Sequence, residues 1–246
     1  MDRMLYVAMS GARQVMHRQA TNNHNLANLE TTGFRAALDH LEAKPMYGPG
    51  HPSRAYVHDQ AAGADLTPGA TVTTGNPLNV AVRGSGFIAV QDVDGSEAWT
   101  RNGELRVSAT GLLETSGGQP VLGEGGPITL SPYEELEIAP DGTISFRPLG
   151  QGAGELVVLD RIRLVDPDPT TLERNERGLF TSETEALPDA AVTLQSGAIE
   201  GSNVDTSTAL VTMIELSRRY EAQIKMMKSV EEIDNAAMGL LGKGDG

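Results

Sequence analysis

The sequence predicts an α+β fold in which two long terminal helices form one discontinuous, coiled-coil-like domain and an all-β domain is inserted between them. Three observations predict it. Each end of the chain carries an apolar rhythm in steps of three and four, the centre drops to a period of two, and glycine and proline turn signals punctuate the centre.

At the N-terminus, Met1, Leu5, Ala8, Ala12, Val15, Gln19, Asn22, Leu26 and Leu29 advance by alternating steps of four and three. That spacing keeps one stripe of a helix turned toward a partner. Gly33, after Thr31 and Thr32, is placed to end the helix in a left-handed cap. Such a helix would be roughly 45 Å long at about 1.5 Å per residue. At the other end Leu210, Met213, Ser217, Tyr220, Ile224 and Met227 continue through Val230, Ile233, Ala237 and Leu240. One extra three-residue step would locally overwind this seam. Ser202, with Asp205 three residues on, resembles a capping box and marks the start, and Gly242 marks the stop. Both stripes are narrow and partly polar, so the helices are expected to pair antiparallel or with other subunits.

Residues 36–70 hold Pro45, Gly48, Pro49, Gly50, Pro52, Gly63 and Pro68 without a sustained period, which predicts an extended connector. From Thr71 short strands begin. Leu78, Val80 and Val82 alternate, and Phe87-Ile88-Ala89-Val90 forms a buried run. Leu105 and Val107, Leu136 and Ile138, Ile144 and Phe146, Leu156 and Val158, and Ile162 and Leu164 repeat the period of two. Asp94-Gly95, Asn102-Gly103, Gly117-Gly118 and Asp141-Gly142 mark tight turns between them. The predicted domains are 1–35 with 203–246 (helical), 36–70 (connector) and 71–202 (β-rich).

Composition narrows the function classes. A formal net charge of −14 over 246 residues repels a phosphate backbone, so nucleic acid is not an expected partner. The absence of cysteine excludes disulfides, thiolate metal sites and cysteine nucleophiles. No apolar run reaches the length of a bilayer span, so no membrane insertion is expected. The N-terminus lacks an uninterrupted apolar h-region and a small-residue cleavage site, so export would not use a cleaved signal peptide.

No catalytic constellation stands out, and no cofactor or metal is expected. His17, His24, His40, His51 and His58 all lie in the first quarter and lack the spacing of a helical metal pair. Gly84-Ser85-Gly86-Phe87 lacks the third glycine of a nucleotide loop and sits between two strands. Asp92-Val93-Asp94-Gly95 supplies only half a calcium loop. Glu134, Glu135 and Glu137 read as a solvated strand edge. Asn22, Asn23, Asn25 and Asn28 crowd the end of the first helix, where asparagine is a mediocre helix former. Their amides can bind exposed backbone or other amides across an interface, or simply cap a fraying end.

Asn25-Leu26-Ala27-Asn28-Leu29-Glu30-Thr31-Thr32-Gly33-Phe34-Arg35 resembles the N-terminal signature of the flagellar rod and hook family. Ser202-Asn203-Val204-Asp205 and Arg218-Arg219-Tyr220-Glu221 are similar to its C-terminal signature. Thr74 to Val80, Gly84 to Phe87, Trp99 to Gly103, Gly123 to Ile128 and Pro140 to Ile144 continue the likeness through the middle. Within the family the opening Met1-Asp2, Tyr6 and Met9 and the doubled Arg218-Arg219 fit a proximal rod member better than a distal one. The resemblance implies a non-enzymatic subunit that polymerises into a helical tube, the drive shaft, enclosing an export channel. It implies terminal helices in the inner tube, a β domain outside, a periplasmic position, and passage through the type III export apparatus. The partners it implies are further copies of the chain and other proximal and distal rod proteins. Subunit contacts are expected at Leu5, Ala8, Ala12, Val15, Asn25, Leu26, Asn28, Phe34, Asn203, Leu210, Met213, Tyr220, Ile224 and Met227. The alternatives are a distal rod protein of the same family, or a secreted oligomeric β binding module.

Overall fold

The computed structural model describes residues 2–45, 55–150, 156–175, 177–184 and 186–241. Met1 of the first seam, residues 46–54 of the predicted connector, and Gly242 with the tail after it lie outside the described residues. The chain divides into two compact units, one of residues 1–27, 37–62 and 205–246, the other of residues 28–36 and 63–204.

The first unit holds both long helices, α1 (Asp2–Ala27) and α2 (Thr206–Leu241). Neither contains proline. The helices run antiparallel: the Asn22 amide donates to the Ala209 carbonyl at 3.0 Å, and Gly11 lies beside the Gln223 side chain. At Gly11 an added Cβ would stand 3.2 Å from the Gln223 amide, so the small residue admits a close approach. α1 ends six residues before Gly33. Gly33 does take a left-handed φ of 70°, but it does so in the second unit, not as a helix cap. α2 likewise starts later than its predicted capping box. Its N-cap is Asp205, whose carboxylate accepts the Thr208 N–H at 2.7 Å, while Ser202 Oγ accepts the Val204 N–H.

The predicted connector carries two paired strands, β1 (Ala37–Pro45) and β2 (Ala55–Ala64), whose end passes into the second unit. Pairing satisfies backbone donors and acceptors of both strands without requiring a buried face, so no apolar alternation announces it.

The second unit is β-rich. It opens with β3 (Thr71–Thr73), β4 (Val80–Arg83), β5 (Phe87–Gln91) and β6 (Glu97–Thr100). Two short hairpins follow, β7 (Leu105–Val107) with β8 (Leu113–Thr115) and β9 (Leu122–Gly123) with β10 (Gly126–Pro127). β11 (Tyr133–Ile138), β12 (Thr143–Pro148) and β13 (Val157–Arg161) form an antiparallel sheet. The remaining strands are β14 (Leu164–Val165), β15 (Glu173–Arg174), β16 (Phe180–Thr181), β17 (Thr193–Ser196) and β18 (Ala198–Glu200). The largest sheet runs β14–β5–β6–β16–β15, and the last two strands return to the first two, β17 to β4 and β18 to β3.

Strand β5 shows why its apolar run is unbroken. Ile88 and Val90 enter an aliphatic core with Val80, Leu113, Val121 and Ile144, while Phe87 and Ala89 enter a smaller core with Trp99 and Phe180. Alternate residues thus serve opposite faces, and burying each large apolar side chain stabilises the fold by about 1.5–3 kcal/mol. Across β11 and β12, Leu136 pairs with Phe146 and Ile138 with Ile144, all four buried. The expected alternation fails at β13, an outer strand of its sheet: Leu156 lies before it, and Val157 and Val158 are exposed. Gly95, Gly118 and Gly142 take left-handed turns as their dipeptides predict. Gly103 does not; there a Cβ would lie 1.7 Å from the Val80 carbonyl oxygen.

Candidate assembly site

Between α1 and α2, Ala8 and Ala12 are buried and Val15 and Leu26 half-buried, while Leu5 is exposed. On α2, Met213, Tyr220, Ile224 and Met227 are half-buried. The predicted seam is offset at its start, where Leu210 is 45% exposed and its neighbour Ala209 is 6% exposed, against α1. Leu216 is buried although the period passes over it, and Ile233 on the predicted stripe is exposed. Ala209, Leu216 and Val230 are themselves spaced in multiples of seven, so the repeat persists while its buried edge lies one residue before the predicted stripe at its start. A second apolar set faces outward: Tyr6, Met9 and Met16 on α1, and Val211, Ile214 and Met226 on α2. Pairing therefore covers one set and leaves the other uncovered.

Two of the crowded asparagines bind backbone within the helical unit. Asn22 reaches Ala209, and Asn25 grips both sides of Ala37, donating to its carbonyl at 3.0 Å and accepting its N–H at 2.8 Å. Asn28, in the other unit, accepts the Thr31 hydroxyl.

Phe34 and Asn203, expected at a subunit interface, are occupied inside the β-rich unit. Phe34 is buried, with the Arg174 guanidinium 4.4 Å over its ring. Asn203 accepts the Ala36 N–H at 2.7 Å and donates to the carbonyls of Asp65 and Thr67. These contacts belong to a larger cluster centred on Glu200. Its Oε1 pairs with Arg35 Nη1 at 2.6 Å and accepts the Gly69 N–H, and its Oε2 pairs with Arg101 Nη1 at 3.2 Å. Its carbonyl accepts the Gly33 N–H at 2.7 Å. Arg35, Arg101 and Glu200 are 1%, 2% and 2% exposed.

Two guanidinium ions thus share one carboxylate away from water. Burial pushes the Arg101 guanidinium below its ordinary pKa, Glu200 pulls it back up, and Arg35 adds to the depression. Arg101 also donates to the Val82 and Gly84 carbonyls and lies 5.1 Å over the Phe87 ring. Gly33 fits against this arginine only without a side chain, since a Cβ would come 2.3 Å from the Arg101 carbonyl carbon. The cluster escaped sequence reasoning because residues 35, 101 and 200 are far apart in the chain. The one available signal was that Arg35 and Arg101 both fall inside recognised motifs.

Among the described residues no group of three or more His, Asp or Glu is placed to hold a metal ion. No helix among them is long and apolar enough to cross a membrane.

Residues 81–146 match the family described as flagellar hook protein FlgE/F/G D1 domain, and residues 195–240 match flagellar basal body rod FlgEFG protein C-terminal. The chain is 41% identical to the flagellar basal-body rod protein FlgF of Salmonella typhimurium, covering 98% of this chain and 99% of the relative. It is 32% identical to FlgF of Caulobacter vibrioides over 99% of each chain. It is 29% identical to the rod protein FlgG of Buchnera aphidicola (from Acyrthosiphon pisum), covering 93% of this chain and 96% of that one.

Proposed function

The chain belongs to the FlgF family of flagellar basal-body rod proteins, and from that premise we propose how it works as a structural subunit of the proximal rod. Its terminal helices pair in coiled-coil fashion and pack against those of neighbouring copies and of other rod proteins. Together they form the wall of a helical tube around the export channel, with the β-rich unit outside. The observation that carries this reading is the second apolar set on α1 and α2, which stays uncovered after the two helices have paired.

A long helix with one narrow apolar stripe is marginal in water. The helices therefore order fully only on docking at the growing tip, which keeps the free subunit threadable through the type III export apparatus on its way to the periplasm. The relatives are named as rod proteins and not as enzymes, in keeping with a structural role.

Two substitutions test the reading. Ile214→Glu places a charge on the outward set and should abolish incorporation into rods, and with it swimming, while the β-rich unit keeps its stability to within about 0.5 kcal/mol. Ile224→Glu lies within the helix pair and should block incorporation too. Normal rods built from the Ile214 variant would overturn the proposal and favour a binding module whose helices only oligomerise.

A further inference from the structure

We propose that the Arg35–Glu200–Arg101 cluster is a clasp that closes the β-rich unit without help from the helices and holds the stems of both helices side by side. Every group it uses lies in that one unit. The Glu200 carboxylate joins Arg35, Gly69 and Arg101, and its carbonyl takes the Gly33 N–H. Around it, the Asn203 N–H reaches the Phe34 carbonyl, the Gly201 N–H reaches the Ala70 carbonyl, and Arg174 donates to the Arg35 carbonyl at 3.0 Å. None of these partners belongs to α1 or α2.

The consequence is positional. α1 ends at Ala27 and α2 begins at Thr206, far apart along the chain. The clasp fixes residues 33–36 against 200–203, so the two helical segments emerge from neighbouring points whether they are ordered or not. Their encounter becomes a local event at high effective concentration instead of the closure of a very long loop. Asn25 and Asn22 act later, within the helical unit. The clasp itself stands independently of the rod reading. Only its use, delivering a subunit whose helices are disordered but already juxtaposed, rests on that reading.

Charge arithmetic makes Glu200 the centre. Removing Arg35 leaves Arg101 and Glu200 as a matched pair, whereas neutralising Glu200 strands two buried cations. Glu200→Gln should therefore do more harm than Arg35→Met.

The test is hydrogen exchange on the full-length monomer. We expect the amides of Gly33, Ala36, Gly201 and Asn203 to exchange at least 100-fold more slowly than those of α1 and α2. If they exchange as fast as the helices while β5 and β6 stay protected, there is no clasp. Protected helices in the monomer would instead sink the coupled-folding reading, and the clasp is then decided by the variants. Glu200→Gln should speed exchange at the four stem amides at least 10-fold with β5 and β6 unchanged. Unaltered stem protection in that variant overturns the proposal. If Glu200→Gln loses its native Trp99 fluorescence altogether, Arg35→Met carries the test: it should speed exchange at the stem amides with β5 and β6 unchanged, and unaltered stem protection there overturns the proposal. Where both variants fold, an equal or larger effect from Arg35→Met overturns the central role of Glu200.

Discussion

Of the formal net charge of −14, the β-rich unit carries −13, from 9 basic and 22 acidic residues, and the helical unit −1, from 10 and 11. The helical unit holds every lysine in the chain, and every cation of the β-rich unit is an arginine. Apolar residues differ in arrangement: the β-rich unit buries two cores and exposes Val93, Leu149 and Leu187 in its loops, whereas the helices carry an exposed apolar set along α1 and α2 that includes Met9, Ile214 and Met226. The contrast separates two jobs. Near-neutral helices can approach copies of themselves without a long-range penalty, and an acidic, closed β unit stays soluble and resists association. Arginine suits the closed unit because its planar, weakly hydrated head tolerates burial in bidentate or stacked settings better than lysine does.

The strongest way to break this comparison is through the closed unit's packing. Gly103→Ala drives a methyl group into the Val80 carbonyl and should cost about 3 kcal/mol, read as a lower denaturant midpoint of Trp99 fluorescence. Gly125→Ala, at a site open to solvent with no close neighbour, should stay within about 0.5 kcal/mol. Equal effects would mean that the unit is not close-packed as described.

A milder probe uses salt. Because the repulsion sits on the β-rich unit, self-association of the purified chain should rise as ionic strength goes from about 0.01 to 0.15 M, shortening the screening length from about 30 to 8 Å. Sedimentation velocity reads this directly. A decrease would mean that the contacts between copies are chiefly ionic and not apolar.

The smallest effect is at the entry to α2. Hydrogen bonds from the Thr208 hydroxyl and N–H hold the Asp205 carboxyl below the ordinary aspartate value. A depressed folded-state pKa gives a contribution fully present above the unfolded value and lost as pH falls through the ordinary range to the folded value. In assembled rods the first turn of α2 should therefore exchange faster on acidification, and Asp205→Ala should abolish that pH dependence.

The two helices, the mostly β centre and three of the four tight turns were legible in the sequence, whereas the alternation at Leu156 and Val158 was not borne out. On α2 the predicted stripe and the burial differ in phase: Ala209 and Leu216 are buried where the stripe passed over them. Sequence reading placed Phe34 and Asn203 at a subunit interface on motif membership, which carries no information about their partners within the chain. Both are taken up by partners in their own unit, Arg174 for Phe34 and Ala36, Asp65 and Thr67 for Asn203.

What the sequence determined by itself is local. Period, turn chemistry and charge act between residues a few positions apart, and they suffice to specify helix, strand and the polarity of each segment. The tertiary structure alone decided that β17 and β18 return to β4 and β3 and thereby carry Glu200 to Arg35 and Arg101. A buried ion cluster is stable only when all its members arrive together, and nothing in the spacing of residues 35, 101 and 200 encodes that meeting.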